Sequence, residues 1–520
     1  MVRAPMELPT TFTSDGRAPG DVMDALAAAG YEVGSARTVH RTLLDTFDGR
    51  LHAAGLRLEL RAGRGRELVL TARDSSPARV KADSAPRLAG DLPAGPFRSR
   101  LAGILDIRAL LPVLRLTSRE LTAVRRDGAG KALVRVTVHD QLAVEHPARV
   151  PAGWVVEVEE VAGYAKEAGA ARRLLRTAGL SPAAADLMAM AASAAGVDLA
   201  GVSGSPTVRL DPHEAALGAY RRVLANLADA VDVNWQGTVD DIDPEFLHDL
   251  RVAVRRTRSV LSQAKRVLPP GVRDEYRVAF GWLGTETGRA RDLDVYVIEW
   301  DDYVAPLGAD VAASLGPVLA HIIGLRADEH GRLAEVLRSP RYGALLAGWR
   351  GWLGDPDAGE TEKAEKQATW PIGRVAADRI GRAQEALLAR GRAIGPDTVA
   401  EELHELRKDA KKLRYLLECF GGLYAPASRK AFVQRLKALQ DNLGEHQDAE
   451  VHANELRAMS AELHGRPGVG PATLVAMGQL TEHLERRRRS SREEYAERFT
   501  TYDTRQTRAT LAELLGPAGG

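Results

Sequence analysis

A single cysteine, Cys419, stands in 520 residues, so no intramolecular disulfide and no cysteine-based zinc site is possible within the chain. Its apolar helical surroundings mark it as a core residue rather than a nucleophile. No run of about 18 apolar residues occurs, which excludes a transmembrane helix. The opening MVRAPMELPTTF lacks an apolar segment followed by a small-residue cleavage site, so no secretory leader, no membrane partner and a cytoplasmic location are expected. Charge of one sign is missing too. With 71 basic and 70 acidic residues the net charge is +1. Residues 1–200 carry 27 − 23 = +4 and the remainder 44 − 47 = −3. A polyanion site must therefore come from the placement of charge, not its total. Aromatics make up only 5%.

What is present is a soluble globular composition, 45% hydrophobic and 27% charged, in a chain too long for one ordinary core. Residues 1–200 alternate short period-two runs (GLRLELRAG, ELVLTARD, GWVVEVEEVAG) with turns, and RRDGAGK marks a hairpin. Helical patterns near 20–30 and 165–195 flank these runs, giving an α+β unit. The stretch AGVSGSPT reads as a linker, after which every periodic segment is helical, and GDPDAGETEKAEKQ divides that part in two.

The halves repeat. HDLRVAVRRTR begins at His248 and HELRKDAKKLR at His404, 156 residues later. In the same register Leu261 meets Leu417, Pro270 meets Pro426, Gly288 meets Gly444 and Asp292 meets Asp448. With one inserted residue, Arg341 and Tyr342 fall opposite Arg498 and Phe499. Such a match of His, Arg, Pro, Gly and Asp indicates duplication. On a helix, His248, Arg251, Arg255 and Arg258 share one stripe while Leu250, Val254 and Leu261 point the other way. The second copy places His404, Arg407, Lys411 and Arg414 on the same stripe, widened by Lys408 and Lys412, with Leu406, Ala410, Leu413 and Leu417 inward. Like charges at this spacing repel by roughly a few tenths of a kcal/mol per pair, so the stripe needs a partner. That partner is either internal (Glu286, Asp292, Asp294, Glu445, Asp448, Glu450) or an external polyanion, for which the arginine fork is suited. The histidines fit either an oxyanion contact or ordinary helix packing. ERRRRSSRE, from Glu485, cannot place four arginines on one face, so part of it is solvated surface.

At these residues the sequence resembles the CHAD family, on HDLRVAVRRTR with GRARDLDVY and HELRKDAKKLRY with LQDNLGEHQDAEV. The resemblance covers residues 207–510, with halves 211–353 and 368–510. It implies two pseudo-twofold-related four-helix bundles around a basic channel that binds inorganic polyphosphate. On that resemblance the phosphate contacts are Arg251, Arg255, Arg256, Arg258, Lys265, Arg289, Arg407, Lys408, Lys411, Lys412, Arg414, Arg429 and Lys430, with His248 and His404 at the namesake positions. Arg221, Arg222, Arg379 and Arg382 are weaker candidates. No cofactor is required for such binding, and association with polyphosphate granules is the cellular expectation.

Residues 1–200 are similar to the CYTH superfamily, whose antiparallel β-tunnel binds triphosphates with a divalent metal. The similarity rests on LLDTFDGRLHAAGLRLELRAG and on Asp140, Glu157 and Glu159. The family's opening E-x-E-x-K-F is degraded here to ELPTTF: Glu7 remains, but Pro9 and Thr11 replace the second glutamate and the lysine. Proline supplies no metal ligand, and loss of the lysine removes charge stabilisation of a phosphoryl transition state. A tunnel without robust phosphohydrolase activity is therefore expected, with no catalytic or metal-binding residue assigned. Arg57, Arg61, Arg73, Arg79, Lys81 and Arg125 remain as anion candidates. The alternatives are a Mg- or Mn-dependent triphosphate or polyphosphate hydrolase and, disfavoured by the lack of stacking aromatics other than Tyr415, nucleic-acid binding.

Overall fold

The structure, a computed structural model, describes residues 10–14, 16–63, 65–72, 75–146, 148–202, 208–355 and 365–516. The chain divides into two compact units, Met1–Gly204 and Ser205–Gly520. Among the described residues no helix is long and apolar enough to cross a membrane.

The first unit is one antiparallel sheet with helices packed on it. Its strands are β1 (Thr10–Thr13), β2 (Glu32–Val33), β3 (Arg37–Asp45), β4 (Leu56–Ala62), β5 (Arg66–Ala72), β6 (Ser75–Lys81), β7 (Leu111–Arg126), β8 (Ala132–His146), β9 (Ala148–Pro151), β10 (Val155–Glu160) and β11 (Ser181–Pro182). The order is β11-β1-β10-β8-β7-β3-β4-β5-β6, with β2 also on β7 and β9 on β8. Helices α1 (Pro19–Ala28), α2 (Arg50–Ala53), α3 (Pro96–Leu105), α4 (Ala165–Thr177) and α5 (Leu187–Ala195) complete it. Period-two alternation decides which face each side chain takes. Val134, Val136 and Val138 of β8 and Val156 and Val158 of β10 join Val22, Leu26, Ala171 and Leu175 in a core under α1 and α4. Their alternates, Arg135, Thr137, Glu157 and Glu159, face the concave side. The sheet curls far enough that Arg79 Nη2 on β6 lies 3.7 Å from Glu159 Oε1 on β10, although those strands are far apart in the order. The tunnel-like form comes from this curl, and its lining is charged rather than apolar. The RRDGAGK segment is the β7–β8 turn, closed by Asp127 N–H donating to the Lys131 carbonyl (2.9 Å).

The second unit is helical: α6 (Ala216–Val239), α7 (Pro244–Gln263), α8 (Pro270–Glu286), α9 (Gly288–Ile298), α10 (Trp300–Val304), α11 (Ala309–Ser314), α12 (Gly316–Arg338), α13 (Pro340–Gly354), α14 (Ile372–Ala393), α15 (Ala400–Cys419), α16 (Pro426–Leu463), α17 (Pro471–Tyr502) and α18 (Arg505–Leu515). The 156-residue offset holds at the level of elements. Both ends of α7 map onto the ends of α15, and the starts of α6 and α8 map onto those of α14 and α16. Proline at the first turn of α7, α8 and α16 fits helix starts, where its missing N–H costs nothing. The predicted inward residues Leu250, Val254, Leu261, Leu406, Ala410, Leu413 and Leu417 are all buried in one core that joins the two halves.

The copies differ in several places, of which two bear on the repeat. Where α16 runs unbroken, the first half breaks at Thr287 between α8 and α9, and Thr287 Oγ1 donates to the Leu283 carbonyl (2.8 Å). The expected one-residue-insertion register is corrected as well: Tyr342 lies on α13, beyond the break at Ser339–Pro340, whereas Phe499 still lies on α17 before its break. Side-chain matches drift there because Ser339 and Thr504, which cap α13 and α18, sit at a different spacing.

Gly391 shows how tightly the second bundle closes. A methyl group added there would overlap the Phe499 ring, while one at Gly381 on the same helix meets nothing within 4 Å. Gly391→Ala should therefore destabilise the helical unit by about 1–3 kcal/mol through overpacking. Gly381→Ala should stabilise it by up to roughly 1 kcal/mol through helix propensity. Urea unfolding followed by helical circular dichroism reads the opposite signs.

Candidate functional site

Helices α7 and α15 pack against one another, and the pseudo-twofold relation brings equivalent positions together. Arg255 and its counterpart Lys411 act on each other electrostatically, and Lys411 also feels Arg407 and Arg414. Burial, reinforced by Arg407 and Arg255, brings the Lys411 ammonium down to about 8. Burial also lowers the Arg251 guanidinium to about 10, with Asp292 opposing and Arg255, Arg291 and Arg258 adding to the effect. Among the described residues Arg251 Nη1 donates to neutral acceptors, the Gly284 carbonyl (3.2 Å) and Thr287 Oγ1 (3.0 Å). The buried Nε of Arg255 has no hydrogen-bond partner among the described residues.

Carboxylates reach other members of the stripe. Asp448 Oδ1 accepts from Arg407 Nη2 (2.9 Å), and Glu405 Oε1 accepts from Lys408 Nζ (2.7 Å). Glu418 accepts from both Nε (3.0 Å) and Nη2 (2.7 Å) of Arg256, and its other oxygen lies 3.2 Å from Arg414 Nε. Arg289 pairs with Glu455, off the stripe. His404 Nδ1 lies 2.7 Å from Gln447 Oε1, a helix-packing contact, and His248 is half-buried on α7. Among the described residues, Arg251, Arg255, Arg258, Lys265, Lys411, Lys412, Arg429 and Lys430 have no carboxylate within 4.0 Å. Arg256, Arg429 and Lys430 line one cavity of about 410 Å³ with Glu418 and several apolar side chains. Lys265 and Lys412 line another, of about 330 Å³.

The six acids considered as internal partners divide differently from expectation. Asp448 alone among them forms a close ion pair with the stripe. Glu286 is taken by Arg332 and Glu445 by Arg487, while buried Asp294 joins His330 Nε2 (2.9 Å) and Arg326 Nε (2.7 Å). Glu418 and Glu405, which do pair with it, lie on α15 itself, where helical spacing alone would have placed them. The ERRRRSSRE arginines are no extension of the site: Arg486 and Arg489 pair with Glu482, Arg487 with Glu445 and Arg488 with Glu485. Of the weaker candidates, Arg221 donates to backbone carbonyls of Trp352 and Leu353, Arg222 pairs with Glu214, and Arg379 and Arg382 both pair with Asp378. Cys419 is buried, its thiol pushed up to about 12 by burial, as a core residue requires.

The first unit holds a cavity of about 550 Å³ on its concave face. Its charged lining is Arg37, Arg41, Arg57, Arg61, Arg66, Arg79, Lys81 and Arg135 against Glu67, Glu120, Glu157 and Glu159. Thus Arg57, Arg61, Arg79 and Lys81 face the cavity as anion candidates should, whereas Arg125 lies elsewhere, donating to the Ala29 carbonyl beside the Tyr31 ring. Asp140 faces Arg119 outside it, and Glu7, Pro9 and Arg73 lie outside the described residues. Arg37, Arg41, Glu59, Glu120 and His139 were missed, although period-two spacing between Arg57 and Arg61 would have found Glu59. Glu59 is fully buried among Arg41, Arg57 and Arg61. Burial works to raise its carboxyl, and the guanidiniums of Arg61, Arg57 and Arg41 outweigh that, bringing it down to about 2. Glu120 accepts from Arg41 (2.8 Å), and Glu157 lies 2.9 Å from His139 Nε2. These carboxylates are already claimed by guanidinium or imidazole, and Thr11, in the lysine position, is buried with an unpartnered hydroxyl. Among the described residues no three His, Cys, Asp or Glu side chains form a metal-holding group. The described lining, with its carboxylates paired to arginine and histidine, does not fit a divalent metal.

The fold and the stripe define a duplicated helical module built around a basic contact between two equivalent helices. Residues 222–457, within the helical unit, match the family model described as CHAD domain. Two uncharacterized proteins from strains of Mycobacterium tuberculosis are each 27% identical over 250 residues, covering 44% of this chain and 44% of their own. The chain thus aligns with less than half the length of these curated relatives. The crystal structure of the CHAD domain from the plant Ricinus communis is 27% identical, spanning 60% of this chain and 96% of that one at a TM-score of 0.44. A putative adenylyl cyclase from Hippeastrum, reported to have a dominant triphosphatase activity, is 16% identical over 37% of this chain and 99% of its own, at a TM-score of 0.27.

Two outcomes test these electrostatics. Lys411 should titrate near 8 by heteronuclear NMR, and Arg255→Ser should move that midpoint upward; a wild-type midpoint near 10.5 would remove the like-charge cluster. Because its folded value is depressed, the unfolded chain binds more protons between about 8 and 10.5, so this group makes stability rise with pH across that window. In the first unit, Glu59→Gln should cost about 3–5 kcal/mol in thermal or urea unfolding, since it leaves three guanidiniums without their shared counter-ion.

Proposed function

We propose that the helical unit binds inorganic polyphosphate along the α7/α15 stripe, without catalysis. The observation that carries this reading is the half-buried group of Arg251, Arg255 and Lys411, held together with no carboxylate in ion-pairing reach among the described residues and with Lys411 and Arg251 each depressed first by burial and then by cations that include Arg255. A cluster that costs the protein electrostatic energy in isolation recovers it when a polyanion supplies the missing charge. Arginine forks give bidentate contacts to phosphate oxygens, and Lys411 adds a point charge. Association with polyphosphate deposits is the cellular consequence of such binding. The resemblance to CHAD proteins points the same way.

Nucleic acid is the weaker reading. Tyr415, the aromatic side chain within the basic segments, is only 5% exposed and packs under Arg414, so it offers no face for base stacking. Hydrolysis in the first unit is disfavoured because the carboxylates facing its cavity are engaged by arginine and histidine.

Arg255→Glu with Lys411→Glu should abolish most polyphosphate binding in calorimetric titration while the melting temperature changes little, since both side chains are only half-buried and the new carboxylates would stand among the cations Arg407 and Arg414. Wild-type affinity should fall linearly with salt on a log–log plot. Unaltered binding by the double variant, or easy displacement of polyphosphate by DNA or RNA, would reject the assignment. Robust phosphate release from tripolyphosphate with Mg or Mn would reject the non-catalytic part.

A further inference from the structure

The two cavities beside the stripe are copies of one another. Ser262, Gln263, Arg379, Arg382, Ala383 and Lys412 line one; shifted by 156 residues they become Glu418, Cys419, Val223, Asn226, Leu227 and Arg256, all of which line the other. The pseudo-twofold axis therefore relates the cavities, but their chemistry has diverged. The first has Lys265, Arg266, Arg379, Arg382 and Lys412 on its walls and no carboxylate. Its counterpart has Arg256, Arg429 and Lys430, an acid and an apolar wall of Val208, Val223, Leu227 and Val433.

The decisive pair is Ser262 and Glu418. Counting from His248 at 100° per residue, the next stripe position after Arg258 is Ser262; from His404, the next after Arg414 is Glu418. One stripe thus runs into a neutral hydroxyl at the edge of a basic cavity. The other ends on a carboxylate that accepts two hydrogen bonds from Arg256 and lies 3.2 Å from Arg414. That carboxylate occupies the place a phosphate would take.

Arg266 adds an independent sign. Its φ is +68°, a left-handed conformation that side chains other than glycine's rarely adopt, just beyond the C-terminus of α7. Its counterpart by the same shift, Gly422, lies in a 3-10 turn and lacks that conformation, so the left-handed backbone belongs to this copy alone. A long cation kept where glycine would relieve the backbone implies that the side chain is needed there. Arg379 is not free to bind: it is buried and donates to the Gln263 and Lys265 carbonyls, Gln367 Oε1 and Asp378. Arg382 is exposed, and its pair with Asp378 is a weak surface contact. Lys265, Arg266, Lys412 and Arg382 are left to face a ligand.

We propose that this cavity is a second phosphate pocket, continuous with the stripe on one side only, and that Glu418 closes its counterpart. A bound polyphosphate chain then extends from the α7/α15 contact toward α14 and not toward α6. This rests on the reading of the stripe as a polyphosphate face.

The test uses the full chain, calorimetric titration with long-chain polyphosphate and with tripolyphosphate, and the number of phosphates each protein occludes. Glu418→Ser, which gives the second cavity the residue of the first, should tighten long-chain binding by roughly three- to tenfold and enlarge the footprint. Arg266→Gly with Lys412→Ser should weaken binding of both ligands by a similar factor and shorten the footprint. Arg266→Gly alone should do so in part while melting no lower than wild type, because glycine accepts the left-handed backbone; this separates lost binding from lost fold. Wild type binding long chains while all three variants keep its affinity and footprint would overturn the second pocket and leave the stripe standing. Failure of the wild type to bind polyphosphate would overturn both.

Discussion

The helical unit depends on holding like charges together at its pseudo-symmetric centre. Arg255 and Lys411 occupy the same position in two copies of one helix, and the axis that relates the copies makes them neighbours. Repulsion there is resisted by the opposite faces of α7 and α15, where Leu250, Val254, Leu406 and Leu413 lie fully buried in a core shared by both halves. Burial of a leucine-sized side chain is worth about 1.5–3 kcal/mol, against roughly a few tenths for each like-charge helical pair, so the packing easily carries the cost. The cations thereby stay together although several of them have no carboxylate within 4.0 Å among the described residues.

The first unit handles its charges in the opposite way. Glu59 sits among three arginines, and Glu120 and Glu157 share Arg41 and His139, so the concave face is largely neutralised from within. A lining so cross-linked orders the strands that bear it. Two basic surfaces in one chain thus differ in kind: one balanced by its own carboxylates, the other left partly open.

Duplication also gives a natural control inside the molecule. Where both copies retain a feature, as with Gly288 beside Arg251 and Gly444 beside Arg407, the close approach of guanidinium to helix backbone is common to them. Where they differ, as with Ser262 and Glu418 or Arg266 and Gly422, the difference falls at the ends of the stripes and on the cavity walls, not in the shared core. Divergence concentrated at the mouth of a site alters what the site accepts, while the fold stays the same.

The helices, their duplication and the stripe were legible in the sequence because helical periodicity is local: residues three and four apart must share a face whatever surrounds them. The same holds for strand alternation, which put Arg57, Arg61, Glu157 and Glu159 on one side of their strands. Which acid answers which cation was not legible. Glu286, Asp294 and Glu445 lie near the stripe in the repeat pattern yet pair with Arg332, His330 and Arg487, from elements distant in sequence. The meeting of β6 with β10 through Arg79 and Glu159 was equally hidden. Coulomb energy depends on distance and on how much water remains, and both are fixed only when separate elements pack. Sequence by itself therefore determined the faces and the repeat; tertiary structure alone decided which charges are cancelled and which stay available.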